Sequence, residues 1–294
     1  MSNSITPADD YQHIPDEKLE WRESYYFNFV SHDRKTSGFT TIGVLPNQKR
    51  EEFVLALIHE DKQTIYFKEQ EQSRNPLSNN TLTFELVEPM QRWKIDFSSE
   101  DLDLKIRWKA RFPPLDFGRG SGTSWRGHFE QSGVVKGELS LPDGGKSPVE
   151  GYSQRDKSWG SRDWHIEKWF ALHAQFGTYA IGLRRDTVSG IQYISGGLSS
   201  AEKPTPASLV DVEMMYEEGD SKNPTGALTS VRFADGKVTV LRSRLVSPKS
   251  FVKFSRDFQN GSTELFEGMA IHECVATGEK GTGLIESLFT KPKP

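Results

Sequence analysis

A stretch near the middle of the chain, residues 150–165, concentrates side chains that are suited to acid–base chemistry. It contains two Arg-Asp neighbours among aromatic and imidazole rings: Arg155-Asp156, Arg162-Asp163, Tyr152, Trp159, Trp164 and His165. Carboxylates held among arginines and indole rings can have shifted pKa values, and a carboxyl group with a raised pKa donates protons near neutral pH. A charged network that only ties two parts of a fold together has the same composition. Both interpretations stay open at this point.

A further carboxylate, Glu23, lies in an aromatic segment near the N-terminus. If residues 21–29 form a strand, the alternation of side chains places Glu23 on one face with four rings: Trp21, Tyr25, Phe27 and Phe29. The pattern fits an edge strand whose glutamate reaches water. It also fits a substrate-binding surface that includes Glu23 and Tyr25.

Other kinds of site find little support in the sequence. The seven histidines are not spaced as metal ligands, and no Gly-x-Ser-x-Gly motif is present. The glycine-rich segment 118–122 lacks the Lys-Ser/Thr of a phosphate-binding loop. We therefore expect no metal and no nucleotide cofactor. Glycosidases also use two acids beside aromatic platforms, so a carbohydrate-active enzyme remains an alternative.

The residues named above must be positioned by the secondary structure around them. Most of the chain alternates apolar and polar residues with a period of two, which predicts β-strands, and amphipathic helices are almost absent. Turn residues separate the strands; Ala234–Lys237, with its Asp-Gly pair, predicts a hairpin. The predicted strands are Trp21–Phe29, Thr40–Leu45, Phe53–Ile58, Thr64–Lys68, Leu82–Val87, Trp93–Phe97, Leu102–Phe112, Val134–Leu141, Trp169–Phe176, Thr178–Arg184, Ile191–Leu198, Leu209–Tyr216, Val231–Phe233, Val238–Leu245, Phe251–Phe254, Leu265–Val275 and Gly283–Leu288. We predict an all-β chain with one β unit over residues 1–160 and another over residues 161–294.

Composition excludes several classes of protein. The chain has 294 residues and a net charge of −4, so it shows no basic surface for nucleic acid. Cys274 is the one cysteine, which excludes an internal disulfide and fits a reducing compartment. The polar arm 1–20 does not have the pattern of a signal peptide, and no apolar run approaches the roughly 20 residues of a membrane helix. We expect a cytoplasmic globular protein without an integral membrane segment.

The run Gln154–Trp164 resembles the signature of the AttH-like, hydroxyneurosporene-synthase-like superfamily. The segments Glu23–Tyr26, Phe129–Gly133 and Gly278–Glu286 are similar to those of its bacterial members. That superfamily includes carotenoid 1,2-hydratases and, more distantly, tocopherol cyclase and fungal Diels–Alderases. The resemblance implies two lipocalin-like (calycin-like) antiparallel β-barrel or sandwich units packed together.

The resemblance also suggests roles for single residues. The corresponding run of the hydratases is Asp-His-Asn-Trp-Gly, which matches this chain at Asp156, Trp159 and Gly160. It implies that Asp156 helps to protonate an alkene and that Trp159 faces the carbocation. The chain departs from the pattern at Lys157, where relatives carry histidine.

The leading hypothesis is an enzyme, a hydratase (lyase) or an isomerase or cyclase, that acts on a hydrophobic isoprenoid- or polyketide-like small molecule. An apolar cavity would keep a carboxylic acid protonated for acid-initiated hydration, isomerisation or cyclisation, and aromatic faces would stabilise the cation. The expected catalytic residues are Asp156 and Trp159. The expected substrate-binding residues are Glu23, Tyr25, Tyr152, Arg155, Trp164 and His165. The alternative is a non-catalytic lipocalin-like carrier of a lipophilic ligand.

Overall fold

A computed structural model describes residues 5–118, 125–161, 166–219, 223–258 and 261–292. Their regular structure consists of β-strands and two short 3-10 helices, Pro7–Asp10 and Pro46–Gln48, and no α-helix occurs among them. The predicted all-β class is therefore confirmed. No helix of the described residues is long and apolar enough to cross a membrane.

The first unit is one curled antiparallel sheet. Its strands are β1 (Trp21–Ser31), β2 (Thr36–Leu45), β3 (Arg50–His59), β4 (Lys62–Glu71), β5 (Leu82–Glu88), β6 (Arg92–Ser98), β7 (Asp103–Ala110), β8 (Leu115–Asp116), β9 (Gly127–Ser140) and β10 (Lys146–Ser161). They are ordered β4-β3-β2-β1-β10-β9-β7-β6-β5, and β8 adds to β9. The sheet curls around its own apolar core, so we call the face that lines this core the inner face.

Alternation on β1 builds the centre of that core. Tyr25, Phe27 and Phe29 lie on the inner face, where the ring of Phe27 packs edge-on against those of Trp93 and Trp108. The predicted aromatic face of this strand is therefore confirmed. The interpretation of β1 as an edge strand is wrong, because β1 is hydrogen-bonded to β2 on one side and to β10 on the other.

The second unit is a closed barrel. Its strands are β11 (Lys168–Gln175), β12 (Tyr179–Val188), β13 (Ile191–Ser200), β14 (Thr205–Tyr216), β15 (Pro224–Phe233), β16 (Val238–Leu245), β17 (Phe251–Phe258), β18 (Gly261–Cys274) and β19 (Lys280–Pro292). Pairing of β16 with β18 closes a ring of eight strands, and β17 is attached outside the ring to β18. Eight strands leave an interior that side chains can fill, as in lipocalins. Two lipocalin-like units are thus present, as predicted.

The hairpin predicted in the second unit agrees with the structure. The Asp-Gly turn at Ala234–Lys237 joins the antiparallel strands β15 and β16, and Gly236 has the left-handed backbone, φ +87°, that such a turn requires. Cys274 is buried in the core of the barrel.

Several strands begin earlier than predicted. The clearest cases are β9, which starts at Gly127, and β15, which starts at Pro224.

The two units divide the described chain into residues 5–118 with 125–161, and residues 166–292. The hydrogen-bonded pairs of each sheet all lie within one unit. Because 1–160 contains all of the first sheet except Ser161, we predict that 1–160 and 161–294 fold when each is expressed alone. Each fragment should show a β-type circular dichroism spectrum and a cooperative thermal transition. A fragment that unfolds without cooperativity would contradict this domain boundary.

Candidate functional site

Strand β10 carries most of the chemically interesting residues, and its two neighbours fix their directions. An antiparallel ladder joins β10 to β1; its end pairs are Trp21 with Ser161 and Ser31 with Gly151. A second ladder joins β10 to β9, and its end pairs are Ser140 with Lys146 and Gly127 with Trp159. Successive side chains of a strand point to opposite faces. Arg155, Lys157 and Trp159 therefore lie on the inner face, whereas Asp156 lies on the opposite face. The sequence neighbours Arg155 and Asp156 thus point away from each other.

On the inner face, Arg155 forms a buried ion pair with Asp10, a residue of the N-terminal 3-10 helix. Its Nε donates a hydrogen bond of 2.9 Å to Oε1 of Gln131, and the guanidinium lies 4.9 Å from the centre of the Phe129 ring. Burial lowers the pKa of Arg155, and the charge of Asp10 opposes this shift. The Met90 backbone N–H donates a hydrogen bond of 2.5 Å to Oδ2 of Asp10. Arg155 therefore anchors the N-terminal arm, and its predicted contact with substrate stays a prediction.

A second buried ion pair lies on the same face and joins Lys157 to Glu23. The backbone N–H of His13 donates 2.8 Å to the Glu23 carboxylate, and the Lys157 ammonium lies 4.1 Å from the centre of the Tyr25 ring. Burial alone would raise the pKa of Glu23, but the charge of Lys157 and hydrogen bonds from His13 and Lys157 hold it below its ordinary value. Burial lowers the pKa of Lys157 and raises that of Tyr25. Glu23 and Tyr25, both predicted to bind substrate, thus belong to a buried network around Lys157.

The Trp159-Gly160 pair packs closely against the start of β9. The Trp159 indole covers Gly127, where a Cβ atom would lie 2.2 Å from the ring, and its other side stacks on the His13 imidazole at 3.9 Å. Gly160 has φ +133°, and the backbone nitrogen of Arg126 lies 2.3 Å from where its Cβ would be. The pair holds the start of β9 against the end of β10. Asp156 and Trp159, the two predicted catalytic residues, lie on opposite faces and are not brought together.

The opposite face of β10 presents an acid–base pair that links two strands. Oδ2 of Asp156 lies 2.9 Å from Nε2 of His128 on β9. The His128 side chain is buried, whereas that of Asp156 is 26% exposed. The rings of Phe117 and Trp125 each lie 4.7 Å from the imidazole, centre to centre. A partly exposed acid side chain, whose Oδ1 is buried, is thus hydrogen-bonded to a buried imidazole that is shielded by aromatic rings.

Glu130 lies beside this pair, because register places it directly across from Asp156. Its Oε1 is 3.9 Å from Nε2 of His128, and one ligand atom from each of Glu130, His128 and Asp156 lies within 4.8 Å of the other two. One imidazole and two carboxylates are ligands that Zn²⁺ and similar cations accept. The prediction that the protein binds no metal stays a prediction.

The same face also carries buried amide and hydroxyl groups. The Asn28 side-chain amide donates a hydrogen bond of 2.6 Å to Oε1 of Gln154. Ser24, Ser132 and Ser158 are further buried polar residues on this face. Tyr152, predicted to bind substrate, lies on this face under the guanidinium of Arg111, 4.5 Å from the ring centre. Trp164 and His165, also predicted to bind substrate, lie outside the described residues, as do Arg162 and Asp163.

Sequence reasoning missed several residues of these networks, among them Asp10, His13 and His128. The first two lie in a polar arm that carries no pattern of its own. The third does carry a signal. In the segment His128-Phe129-Glu130, alternation puts the histidine and the glutamate on one face, and pairing of β9 with β10 then brings Asp156 to the same place.

Comparison with known proteins now identifies the family. A family profile described as a domain of unknown function, DUF7064, matches residues 6–291. The chain belongs to the DUF7064 family. No curated protein matches the sequence of this DUF7064 protein.

Three solved structures share the fold of this DUF7064 protein over nearly its whole length. CghA, crystallised with Sch210972, has a TM-score of 0.65 at 12% identity, with 94% of this chain and 93% of CghA covered. Kievitone hydratase from Nectria haematococca has a TM-score of 0.65 at 10% identity, with 97% and 93% covered. The AttH-like protein from Nitrosomonas europaea has a TM-score of 0.54 at 13% identity, with 96% and 95% covered. The resemblance to the AttH-like superfamily is confirmed, and at these identities it concerns the fold.

The buried pair of Glu23 and Lys157 generates a stability prediction for this DUF7064 protein. Glu23→Gln leaves the Lys157 ammonium buried without its counter-ion, so the free energy of unfolding at pH 7 should fall by about 3–5 kcal/mol. The double variant Glu23→Gln/Lys157→Met removes both charges and should recover most of the loss. Urea unfolding measures both. As a control, Glu60→Gln, in an exposed pair with Lys35, should leave the stability unchanged.

The sign of the pKa shift also predicts how this loss depends on pH. Because the pKa of Glu23 lies below its ordinary value of 4.5, ionised Glu23 stabilises the fold above that value, and the effect is lost as the pH falls through the lower, folded pKa. The difference in the free energy of unfolding between wild type and Glu23→Gln should therefore be largest at neutral pH and should shrink below pH 4.5. A difference that stays constant as the medium is acidified would show that Glu23 is not ionised in the folded protein.

Proposed function

We propose that this protein is an enzyme that acts on a hydrophobic natural product by acid-initiated hydration, isomerisation or cyclisation. The observation that carries the proposal is the pair formed by Asp156 and His128, 2.9 Å apart, with the Asp156 side chain partly exposed and the imidazole buried beside aromatic rings. An acid and a base in hydrogen-bond contact can deliver a proton and take one back, the two steps that these reactions share.

The roles follow from accessibility. The Asp156 side chain is the more exposed of the two, so in this proposal it is the group that exchanges a proton with substrate. The buried His128 holds the carboxylate in position and supplies or accepts the second proton. In this proposal the sequence-predicted donor, Asp156, keeps its role. Lys157 does not replace the histidine of related motifs, because it lies on the other face; His128 of the neighbouring strand provides the imidazole.

Aromatic rings beside the pair favour a reaction through a cation. Trp125 and Phe117 flank His128, and the faces of such rings attract positive charge. In the proposal these two rings take the part that the sequence suggested for Trp159.

Two of the proteins that share the fold support this choice of chemistry. One is a hydratase by name, kievitone hydratase, and another, CghA, was crystallised with the small molecule Sch210972. A lipocalin-like carrier remains the second candidate, because a closed eight-stranded barrel is a common ligand-binding architecture. A carrier needs no acid–base pair, so loss of Asp156 separates the two candidates.

The first step of the test is to find the substrate. Purified protein is incubated with a lipophilic extract, and mass spectrometry identifies the compounds that copurify and those that are converted. Asp156→Asn should then lower turnover by roughly 100- to 10,000-fold, the loss typical for a general acid, while the melting temperature and ligand affinity stay close to wild type. His128→Gln should lower turnover in the same way.

A matched control is available on the same strand and the same face. Glu150 is exposed and pairs loosely with Lys136 at 3.7 Å, so Glu150→Gln should leave turnover unchanged. If wild type binds compounds from the extract but converts none, the protein is a carrier. If Asp156→Asn lowers the melting temperature and leaves turnover intact, Asp156 is structural and the proposed role is wrong.

A further inference from the structure

The second unit has a partly open cavity of about 250 Å³. Its apolar wall includes Phe170 of β11, Met214 of β14 and Phe266 of β18, and its polar groups include Arg185 and Thr187 of β12. Phe170 and Phe266 belong to the core of the barrel, so the cavity reaches into that core. Cavities for drug-sized ligands measure about 300–1,000 Å³, so this one suits a smaller molecule.

The cavity lies where the wall of the barrel is incompletely hydrogen-bonded. β13 pairs with β14 at two positions, Gly197–Pro206 and Leu198–Thr205, and the later residues of β14 have no partner on β13. Arg185 reaches across this gap from β12, and its Nη1 donates a hydrogen bond of 3.0 Å to the backbone carbonyl of Val210 on β14. The guanidinium thus lies between the separated strands, at the wall of the cavity.

Positive charge prevails around the cavity. The charge of Asp211 acts on the half-buried Arg185 guanidinium, but among the described residues no carboxylate forms an ion pair with Arg185 within 4.0 Å. The acid of the lining, Glu264, is paired with Lys291 at 2.9 Å. Lys168 and Lys253 add two cations to the lining. A guanidinium has five N–H donors and stays charged in proteins, so Arg185 has capacity for an anion beyond its bond to Val210.

We propose that this cavity binds a small amphipathic organic acid, with its carboxylate on Arg185 and its apolar part against Phe170, Phe266 and Met214. A planar guanidinium matches the two oxygens of a carboxylate. The cavity has room for about eight groups of the size of a water molecule, at about 30 Å³ each, which corresponds to a medium-chain fatty acid or a substituted benzoate. The site lies within the second unit, and its residues are not those of the Asp156–His128 pair.

Isothermal titration of the full-length protein with octanoate tests the proposal, and octan-1-ol serves as a neutral probe of similar shape. Wild type should bind octanoate more tightly than octanol. Arg185→Gln should weaken octanoate binding by roughly 10- to 100-fold, as expected for loss of a charge-assisted hydrogen bond, and leave octanol binding nearly unchanged. Arg185→Lys should restore part of the octanoate affinity because it restores the charge.

Two controls keep the result interpretable. Arg232→Gln removes an exposed arginine of the same barrel, outside the cavity lining, and should bind octanoate like wild type. Met214→Trp fills the cavity and should abolish binding of both probes. Asp156→Asn, which tests the proposed catalytic pair, should bind octanoate normally, so failure of one proposal is distinguishable from failure of the other. Absence of octanoate binding by wild type, or equal affinity in Arg185→Gln, would overturn the proposal.

Discussion

The hydrogen-bonded register of β10 between β1 and β9 is the constraint on which the rest of the site depends. Ladders on both sides fix the direction of every side chain from Gly151 to Trp159. The side chains of Arg155 and Lys157 therefore point to the inner face, and that of Asp156 points to the other face. A shift of register by one residue would exchange these faces and bury Asp156 in the core. The ladders therefore determine which of the charged residues share a face.

The inner cations are tolerated because each has an acid of its own. Asp10 neutralises Arg155 and Glu23 neutralises Lys157. In addition, Arg155 donates a hydrogen bond to Gln131, and the backbone of His13 donates one to Glu23. Buried ion pairs are seldom more stable than apolar residues of the same size, because desolvation cancels most of the attraction. What the pairs add here is position. Asp10 and the backbone of His13 belong to the N-terminal arm, so the ion-pair networks attach the arm to the inner face.

The sequence was sufficient for properties that follow from alternation and turn chemistry. The all-β class, the aromatic face of β1 and the hairpin at Ala234–Lys237 all depend on neighbours along the chain. Strand starts were harder to predict. On β9, Gly127 and Gly133 interrupt the apolar pattern, yet both are strand residues whose missing side chains make room for the rings of Trp159 and Trp108.

The partners of the charged residues could not be predicted from spacing. Arg155 finds its acid 145 residues away in the chain, and Lys157 finds Glu23 at a separation of 134 residues. Such pairs depend on which strands are neighbours and in what register, and the sequence motif contains neither fact. For the same reason the motif does not reveal that Trp159 lies on the face opposite Asp156, or that Phe117 and Trp125 flank His128.

The most direct test of the central claim, proton transfer by Asp156 to a carbon of the substrate, is turnover in D₂O. Once a substrate has been identified, the product made by wild type in D₂O is analysed by mass spectrometry and by NMR. Acid-initiated chemistry predicts one deuterium on the carbon that receives the proton, formed by wild type and almost absent with Asp156→Asn. A product that forms in D₂O at the wild-type rate with no deuterium on carbon would contradict the account.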